Sequence, residues 1–248
     1  SKESKMDSRL PASRQGGRGN DNGGGNDKET RNDIGSTIAV QGFGNVGYYF
    51  AEIASELGFK IVAVSDSKGG ITLSSSRTRG SNDSLNPKLI FKCKQEKGTL
   101  AGCYCAGGVC DASGGQLITN EELLELPVDI LVPAALENVI TAQNAHKIKA
   151  KIIIEMANGP ISEDAYPILD KMGVIVIPDV LANSGGVTVS YFEWVQSLAG
   201  YWWTEEEVNQ KLEKQLQTAF EAVWSESLKL KCNLKEAAFA VAIRRIAG

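Results

Sequence analysis

Three glycines in one short stretch have the spacing of a phosphate-binding turn. Residues 37–47 read TIAVQGFGNVG, so a β-branched apolar run leads directly into Gly42-x-Gly44-x-x-Gly47. At this spacing the first glycine makes a tight turn, the second lets backbone amides approach a pyrophosphate, and the third lets a helix pack closely on its strand. The helix N-terminus then attracts the anion, because its first amides are unpaired and its dipole end is positive.

An acidic residue stands where the ribose of a dinucleotide is expected. A second apolar run, 60–66, ends in Asp66, which follows Gly47 by 19 residues. In dinucleotide-binding folds an acid at about this distance hydrogen-bonds the adenosine ribose. The alternative is that Asp66 only caps the turn before Lys68, which is a common position for aspartate. Strand, glycine turn, helix and second strand together have the length of one βαβ crossover.

The patterns around this motif predict the elements that position it. Apolar runs alternate with helical patterns, which predicts a parallel sheet covered by helices on both faces. We therefore expect an α/β fold, a doubly wound, Rossmann-like and mostly parallel sheet followed by C-terminal helices, with a helical extension from about residue 200. The predicted strands are 37–41, 60–66, 129–132, 151–156 and 174–177. The predicted helices before Ser184 are 45–57, 87–97, 141–149 and 162–172, with a further helix that begins at Thr119 in a Thr-x-x-Glu capping pattern. In the first helix, Val46, Phe50, Ile53, Ala54 and Leu57 have the spacing of a buried face.

Small and amide side chains follow the later predicted strands, at the point where each strand ends. They include Ala135, Asn138, Asn158 and Asn183. Ligands of open α/β sheets bind outside the carboxyl ends of the strands. Any one asparagine at such a position is as well explained by helix capping, but three of them around one edge favour a ligand cleft.

Composition excludes several classes of function. The net charge of −4 gives no basic surface excess for nucleic acid, and no apolar run has the length of a membrane span. Residues 1–35 are polar and rich in glycine and asparagine, so we expect a disordered, low-complexity tail before a globular domain at 36–248. We expect a soluble cytoplasmic protein, with an organellar matrix as the alternative.

The cysteines are predicted to be reduced thiols. Five cysteines are an odd number for a disulfide framework. Four of them, Cys93, Cys103, Cys105 and Cys110, fall within 18 residues, but they lack the two Cys-x2–4-Cys pairs that structural zinc sites use. We therefore expect no metal site, with zinc as the alternative, and we expect His146, which lies among lysines, to be a surface residue.

Six segments resemble the C-terminal domain of the glutamate/leucine/phenylalanine/valine dehydrogenases in order and spacing. They are VQGFGNVG at 40–47, VSDSKGGI at 64–71, ITNEELL at 118–124, PAALEN at 133–138, EMANGP at 155–160 and PDVLANSGGV at 178–187. The resemblance covers residues 36–248 and is closest to the glutamate dehydrogenases. It implies an oxidoreductase that deaminates L-glutamate to 2-oxoglutarate and ammonia with NAD or NADP.

The resemblance also implies roles for individual residues. The backbone at Gly44, Asn45 and Val46 would hold the pyrophosphate, and Asp66 the adenosine ribose. Further along the cofactor would lie Ala135 and Asn138, with Asn158 and Asn183 at the nicotinamide ribose and carboxamide.

Two further positions match those where the family contacts the side chain of its amino-acid or 2-oxo-acid substrate. These are Val187 and Ser190, and a hydroxyl at position 190 suits a carboxylate, which favours glutamate over leucine or phenylalanine. Asp66 would repel a 2′-phosphate, so we expect NAD, with NADP possible through Lys68.

The chain departs from the family where catalysis is concerned. In the family the catalytic lysines and aspartate belong to an N-terminal substrate domain, to which no segment of this sequence corresponds. We therefore assign no catalytic residue. Two interpretations follow. The first is the cofactor-binding half of an amino-acid dehydrogenase, either a fragment of a longer product or a split subunit, acting as a homo-oligomer or with a substrate-domain chain. The second is a non-catalytic paralogue that binds NAD or joins dehydrogenase oligomers.

Overall fold

The sheet is built outward from the βαβ unit that the glycine motif predicts. The computed structural model describes residues 35–73, 84–106, 109–110 and 115–248, so the predicted tail lies outside the described residues except for Gly35. Strand β1 (Thr37–Gln41) leads to helix α1 (Asn45–Glu56) and strand β2 (Lys60–Asp66). The two strands pair in parallel, with Val40 opposite Val64. The glycine turn and Asp66 therefore follow strands that end at the same edge.

Helix α1 buries only part of the predicted face, namely Ala54 and, in part, Phe50. Its buried residues are Gly47, Ala51 and Ala54, whereas Val46 and Ile53 are about half exposed. Close packing explains the difference: a Cβ on Gly47 would lie 2.0 Å from the Gly42 carbonyl oxygen. Only small residues fit between α1 and the strand beneath it.

The chain then forms an antiparallel edge that the sequence did not predict. Strands β3 (Gly69–Leu73) and β6 (Gly115–Ile118) pair with each other, and β3 pairs with β2, all antiparallel. Glycines at their ends weaken the strand pattern, because glycine has low β propensity. Between these strands lie helix α2 (Pro87–Lys97) and a separate pair formed by β4 (Cys105–Ala106) and β5 (Val109–Cys110).

The second half of the sheet is parallel, as predicted. After helix α3 (Asn120–Leu124), strands β7 (Ile130–Pro133), β8 (Ile152–Ile154) and β9 (Ile175–Ile177) extend the sheet, with helix α4 (Tyr166–Met172) before β9. The strand order is β6-β3-β2-β1-β7-β8-β9. Since the chain leaves β1 on one side and returns at β7 on the other, the carboxyl ends of these two strands flank the crevice where such sheets bind ligands.

The prediction of a helix at 141–149 is wrong. This segment consists of turns with a single 3-10 turn at Ala145–Lys147. The side chain of Asn144 accepts a hydrogen bond from the Thr141 amide and donates one to the Val139 carbonyl. Asparagine side chains that satisfy the backbone in this way compete with the helical ladder.

Four helices complete the fold beyond β9. They are α5 (Asp179–Ala182), α6 (Ser184–Ala199), α7 (Glu205–Leu230) and α8 (Leu234–Ala247). Thr204 begins α7 with a reciprocal capping box to Glu207. Leu234 and Ala237 of α8 are buried against Val223 of α7, with Ile175 and Ile177 of β9 packed beside them. No helix in the described part of the chain is long and apolar enough to cross a bilayer.

The prediction of reduced thiols is wrong for four of the cysteines. Cys93 on α2 forms a disulfide with Cys103, and Cys105 forms one with Cys110, its direct partner across the β4–β5 pair. The fold brings the first pair to a Cα–Cα distance of 5.7 Å, which is within disulfide range. Cysteines bonded in this way are not thiolate ligands, so the zinc alternative is also wrong. Cys232 is the free cysteine of the described residues.

Candidate functional site

The glycine turn has the geometry that its spacing predicts. Gly42 has φ of +97°, and a Cβ there would lie 2.6 Å from the Ala135 Cβ and 2.8 Å from the Ala134 carbonyl. The turn thus brings Ala135, at the end of β7, against the first glycine. A Cβ on Gly44 would meet nothing within 4 Å. The space above Gly44 is therefore open to a ligand that approaches the backbone closely.

The N-terminus of α1 suits an anion. Gly44 is the N-cap residue, and no side chain caps the helix. The first amides of a helix have no partner inside the helix, so those of α1 are directed toward the open space above the turn. The residues present therefore fit a pyrophosphate, which the backbone amides and the helix dipole would stabilise.

Asp66 lies at the end of β2 and is held by two lysine residues. Its Oδ2 lies 3.1 Å from Nζ of Lys94, and its Oδ1 accepts a hydrogen bond of 2.9 Å from the backbone amide of Lys68. The Asp66 side chain is 11% exposed. The turn contact that was the alternative reading is thus present, but a carboxylate has about four acceptor positions and retains others for ribose hydroxyls.

Lys94 links Asp66 to the glycine turn. Its Nζ also donates a hydrogen bond of 2.8 Å to the carbonyl oxygen of Phe43, between the first two glycines. One cation from α2 therefore fixes both parts of the predicted adenosine and pyrophosphate site.

On the other side of the crevice, hydrogen bonds join the three asparagine-bearing loops. Asn138 has a left-handed backbone, with φ of +52°, and its amide donates to the Gly159 carbonyl at 2.9 Å. The side chain of Asn183 donates to Oδ1 of Asn158 at 2.6 Å. The structure thus brings together the two asparagines that were predicted at the nicotinamide, and it places Asn138 beside their loop.

A buried polar cluster lies beneath these loops. Glu155, at the end of β8, is fully buried and accepts hydrogen bonds from the Tyr166 hydroxyl at 2.6 Å and from the Asp179 amide at 2.8 Å. Burial raises the pKa of Glu155, while these two hydrogen bonds and the charge of Lys235 oppose the rise. Burial beside Glu155 also raises the pKa of the Tyr166 hydroxyl, which therefore stays protonated.

The two predicted substrate contacts lie on one face of α6. Val187 and Ser190 are three residues apart, so they are neighbours on the helix surface. Both are exposed, and the Ser190 hydroxyl donates to the Gly186 carbonyl at 3.1 Å. His146 is exposed, as predicted. In the described part of the chain, no three His, Cys, Asp or Glu side chains form a group that could hold a metal ion.

Sequence reasoning missed the residues that support the site from a distance. Lys94 and Lys235 lie on helices where lysines are common at exposed positions, so nothing in the sequence singled them out. Glu155 did carry a signal, because it directly follows the apolar run Ile152–Ile154. A charge at such a position must be paired or hydrogen-bonded, as the structure shows it to be.

Comparison with known proteins agrees with the geometry. The chain is 44% identical over 211 residues to the NADP-specific glutamate dehydrogenase of Synechocystis sp., a match over 85% of this chain and 47% of the relative. It is 41% identical over 213 residues to the NAD-specific glutamate dehydrogenase of Staphylococcus aureus, over 86% of this chain and 47% of the relative. The chain thus spans about half the length of these relatives.

A solved structure and a family profile give the same result. The hetero-hexameric glutamate dehydrogenase of Thermus thermophilus, in its leucine-bound form, superposes with a TM-score of 0.74 at 29% identity, over 86% of this chain and 46% of that one. The profile of the Glutamate/Leucine/Phenylalanine/Valine dehydrogenase family matches residues 26–248. Because this profile covers most of the chain and both relatives are more than 40% identical to it, the chain belongs to the glutamate/leucine/phenylalanine/valine dehydrogenase family.

Proposed function

We propose that this chain is the cofactor-binding half of a glutamate dehydrogenase, which converts L-glutamate to 2-oxoglutarate and ammonia. The observation that carries the proposal is the open glycine turn of Gly42–Gly47, which follows β1 at the same end of the parallel sheet as the hydrogen-bonded loops of Asn158 and Asn183. NAD or NADP held there would supply the hydride acceptor for the substrate carbon. The residues of this chain bind and orient that cofactor.

Each part of the crevice has a distinct task in this proposal. The amides at Gly44, Asn45 and Val46 neutralise the pyrophosphate, and Asp66 receives the adenosine ribose hydroxyls. Asn158 and Asn183 share a hydrogen bond, which leaves the Asn158 amide group and the Asn183 carbonyl oxygen for the nicotinamide ribose and carboxamide. Ala135 and Asn138 line the path between the two ends.

We propose NAD as the cofactor and glutamate as the substrate. The negative charge of Asp66 disfavours a 2′-phosphate, although Lys68 and Lys94 lie close enough to offset it in part. The two relatives differ in cofactor, so likeness to them does not decide between NAD and NADP. Ser190 favours glutamate, because its exposed hydroxyl can rotate away from the Gly186 carbonyl and donate to a side-chain carboxylate.

The test is a titration of the 248-residue chain with NADH, followed by cofactor fluorescence. The wild-type chain should bind NADH. Gly42→Ala should weaken binding at least about ten-fold, because its methyl group displaces Ala134 and Ala135 and its φ is unfavourable for alanine.

A second glycine provides the matched control. Gly173 ends α4 with φ of +75°, and a Cβ there would meet nothing within 4 Å. Gly173→Ala introduces similar backbone strain away from the crevice, so it should leave NADH affinity unchanged. Absence of NADH binding by folded wild-type protein would reject the proposal. NADH binding without amino-acid-dependent reduction of NAD, even with a substrate-domain chain added, would favour the non-catalytic paralogue.

A further inference from the structure

We propose that Lys235, on the last helix of the chain, is a positioning residue that holds the nicotinamide-binding loops in place through Tyr166 and Asp179. This inference rests on the proposed function, because it concerns the end of the crevice where Asn158 and Asn183 lie.

Lys235 is the cation of the buried cluster. Its Nζ donates a hydrogen bond of 2.9 Å to the Tyr166 hydroxyl oxygen and lies 3.5 Å from Oδ1 of Asp179 and 3.9 Å from Oε2 of Glu155. It also lies 4.8 Å from the centroid of the Tyr166 ring. The Lys235 side chain is 23% exposed, so water screens these contacts only partly.

The cluster reaches the site through Asp179. While Oδ1 of Asp179 faces Lys235, its Oδ2 accepts a hydrogen bond of 2.8 Å from the Gly159 amide. The carbonyl of Gly159 in turn accepts from the Asn138 amide at 2.9 Å. One aspartate thus fixes the residue that follows Asn158, and through it the loop of Asn138.

Asp179 also holds Asn183, through a backbone hydrogen bond. Its amide donates to the Asp179 carbonyl at 3.0 Å, at the end of the short helix α5. Both asparagines of the nicotinamide end therefore depend on where Asp179 lies.

The lysine is needed because two carboxylates lie together. Glu155 is fully buried and Asp179 is mostly buried, and the Glu155 carboxylate accepts from the backbone amide of Asp179 itself. Two neighbouring carboxylates repel each other unless a cation lies between them. Without Lys235, we expect Glu155 to take up a proton or Asp179 to turn toward water, and either change releases Gly159.

Comparing the binding of NADH with that of ADP separates this role from a general loss of stability. ADP contains the adenosine and pyrophosphate but lacks the nicotinamide ribose and ring. Lys235→Met should weaken NADH binding about ten-fold, the loss expected when a charge-assisted contact is removed, and change ADP binding less than about two-fold. NADH is measured by fluorescence and ADP by calorimetry, both on the 248-residue chain. Lys229→Met, an exposed lysine at the end of α7, is the matched control and should change neither.

Tyr166→Phe is the second variant, in case Lys235→Met does not fold. It retains the ring beneath Lys235 and removes only the hydroxyl that joins Lys235 to Glu155, so it should weaken NADH about three-fold and leave ADP unchanged. Equal losses for NADH and ADP, or no loss in folded variants, would overturn the positioning role. Wild-type protein that binds neither ligand would instead overturn the proposed function.

Discussion

Asp66 is the predicted ribose contact, and the charge of its side chain also affects the choice between NAD and NADP. Lys94 pairs with the Asp66 carboxylate and also bonds to the Phe43 carbonyl, so its charge lies between the ribose and pyrophosphate positions. A 2′-phosphate would take the place next to the carboxylate and suffer its repulsion. The same lysine would attract that phosphate if the carboxylate were absent.

We therefore predict that Asp66→Ser shifts the preference toward NADPH. The ratio of NADPH affinity to NADH affinity should rise about ten-fold or more, because one charge of repulsion is lost and Lys94 loses its anionic partner. Fluorescence titration of the same protein with both cofactors measures the ratio. In Asp66→Ser combined with Lys94→Met the gain should disappear. If the double variant kept the gain, Lys94 would have no part in the preference.

Residue types near the strand ends could be predicted, but their supports could not. The glycines, Asp66 and the asparagines follow apolar runs at short separations along the chain, and these separations are visible in the sequence itself. Lys94 and Lys235 reach the site across 51 and 69 positions of the chain, to Phe43 and Tyr166. Contacts of this kind depend on how helices pack on the sheet, which periodicity does not encode.

Among the elements, helix α2 is the one that a covalent bond fixes beside the site. Cys93 immediately precedes Lys94, and its disulfide to Cys103 closes a loop with a sequence separation of 10. Cross-linking a loop of this size stabilises the folded state by about 2–3 kcal/mol, mainly by restricting the unfolded chain.

Cys93→Ala combined with Cys103→Ala should therefore lower the free energy of unfolding of oxidised protein by about 2–3 kcal/mol. Urea unfolding with and without dithiothreitol measures the effect. Part of the loss caused by the reductant should remain in the double variant, because Cys105–Cys110 is still present. Equal stability of oxidised and reduced wild-type protein would show that neither bond contributes.

Hydrogen bonds to Asp129 join the segments where β1, β7 and β8 begin, at the end of the sheet opposite the glycine turn. Asp129, just before β7, accepts hydrogen bonds from the amide and hydroxyl of Thr37 in β1 and from Nζ of Lys151. Burial raises the pKa of the Asp129 carboxyl, but the hydrogen bonds from Lys151 and Thr37 outweigh it and hold the pKa below its ordinary value.

A lowered carboxyl pKa stabilises the fold above the unfolded-state value of about 4, and the contribution is lost as the pH falls through the folded-state value. Asp129→Ala should lower the free energy of unfolding by about 2 kcal/mol at neutral pH, and the gap should narrow below about pH 4. Urea unfolding across this range measures it. A gap that stayed constant with pH would show that the Asp129 charge does not contribute.

Elements were predicted best where one pattern determines them. The βαβ unit has the predicted positions because glycines flank its helix, and helix α2 has them because Asn86 and Pro87 begin it and Gly98 ends it. The helix at 141–149 failed because Asn144 satisfies the backbone locally. Strands β3 and β6 were missed because their pairing, and not their composition, makes them strands.

At the scale of the whole molecule, large apolar side chains at the end of α6 and just after it are exposed. Trp194 and Leu198 of α6, with Tyr201 and Trp202 after it, are between 58% and 70% exposed. Exposed apolar groups of this size mark interaction surfaces. Because the chain spans about half the length of its relatives, we propose that the other half, the substrate domain, covers this face.

Trp194→Ser combined with Trp202→Ser should then abolish co-elution with a chain that comprises the other half of the Synechocystis relative, while NADH affinity is unchanged. Gln217→Ala, on the exposed surface of α7, is the matched control and should still co-elute. Analytical size-exclusion chromatography measures both. Loss of self-association instead would assign the face to a second copy of this chain.

The position of Lys235 has a consequence for the order in which the site is completed during folding. The glycine turn and Asp66 belong to one βαβ unit of 30 residues, whose contacts are local and close early. The nicotinamide loops depend on a contact that spans 69 positions and involves the last helix. We therefore expect the adenosine-binding end of the site to form first. A chain that still lacked α8 would bind the adenosine end of the cofactor but not its nicotinamide end.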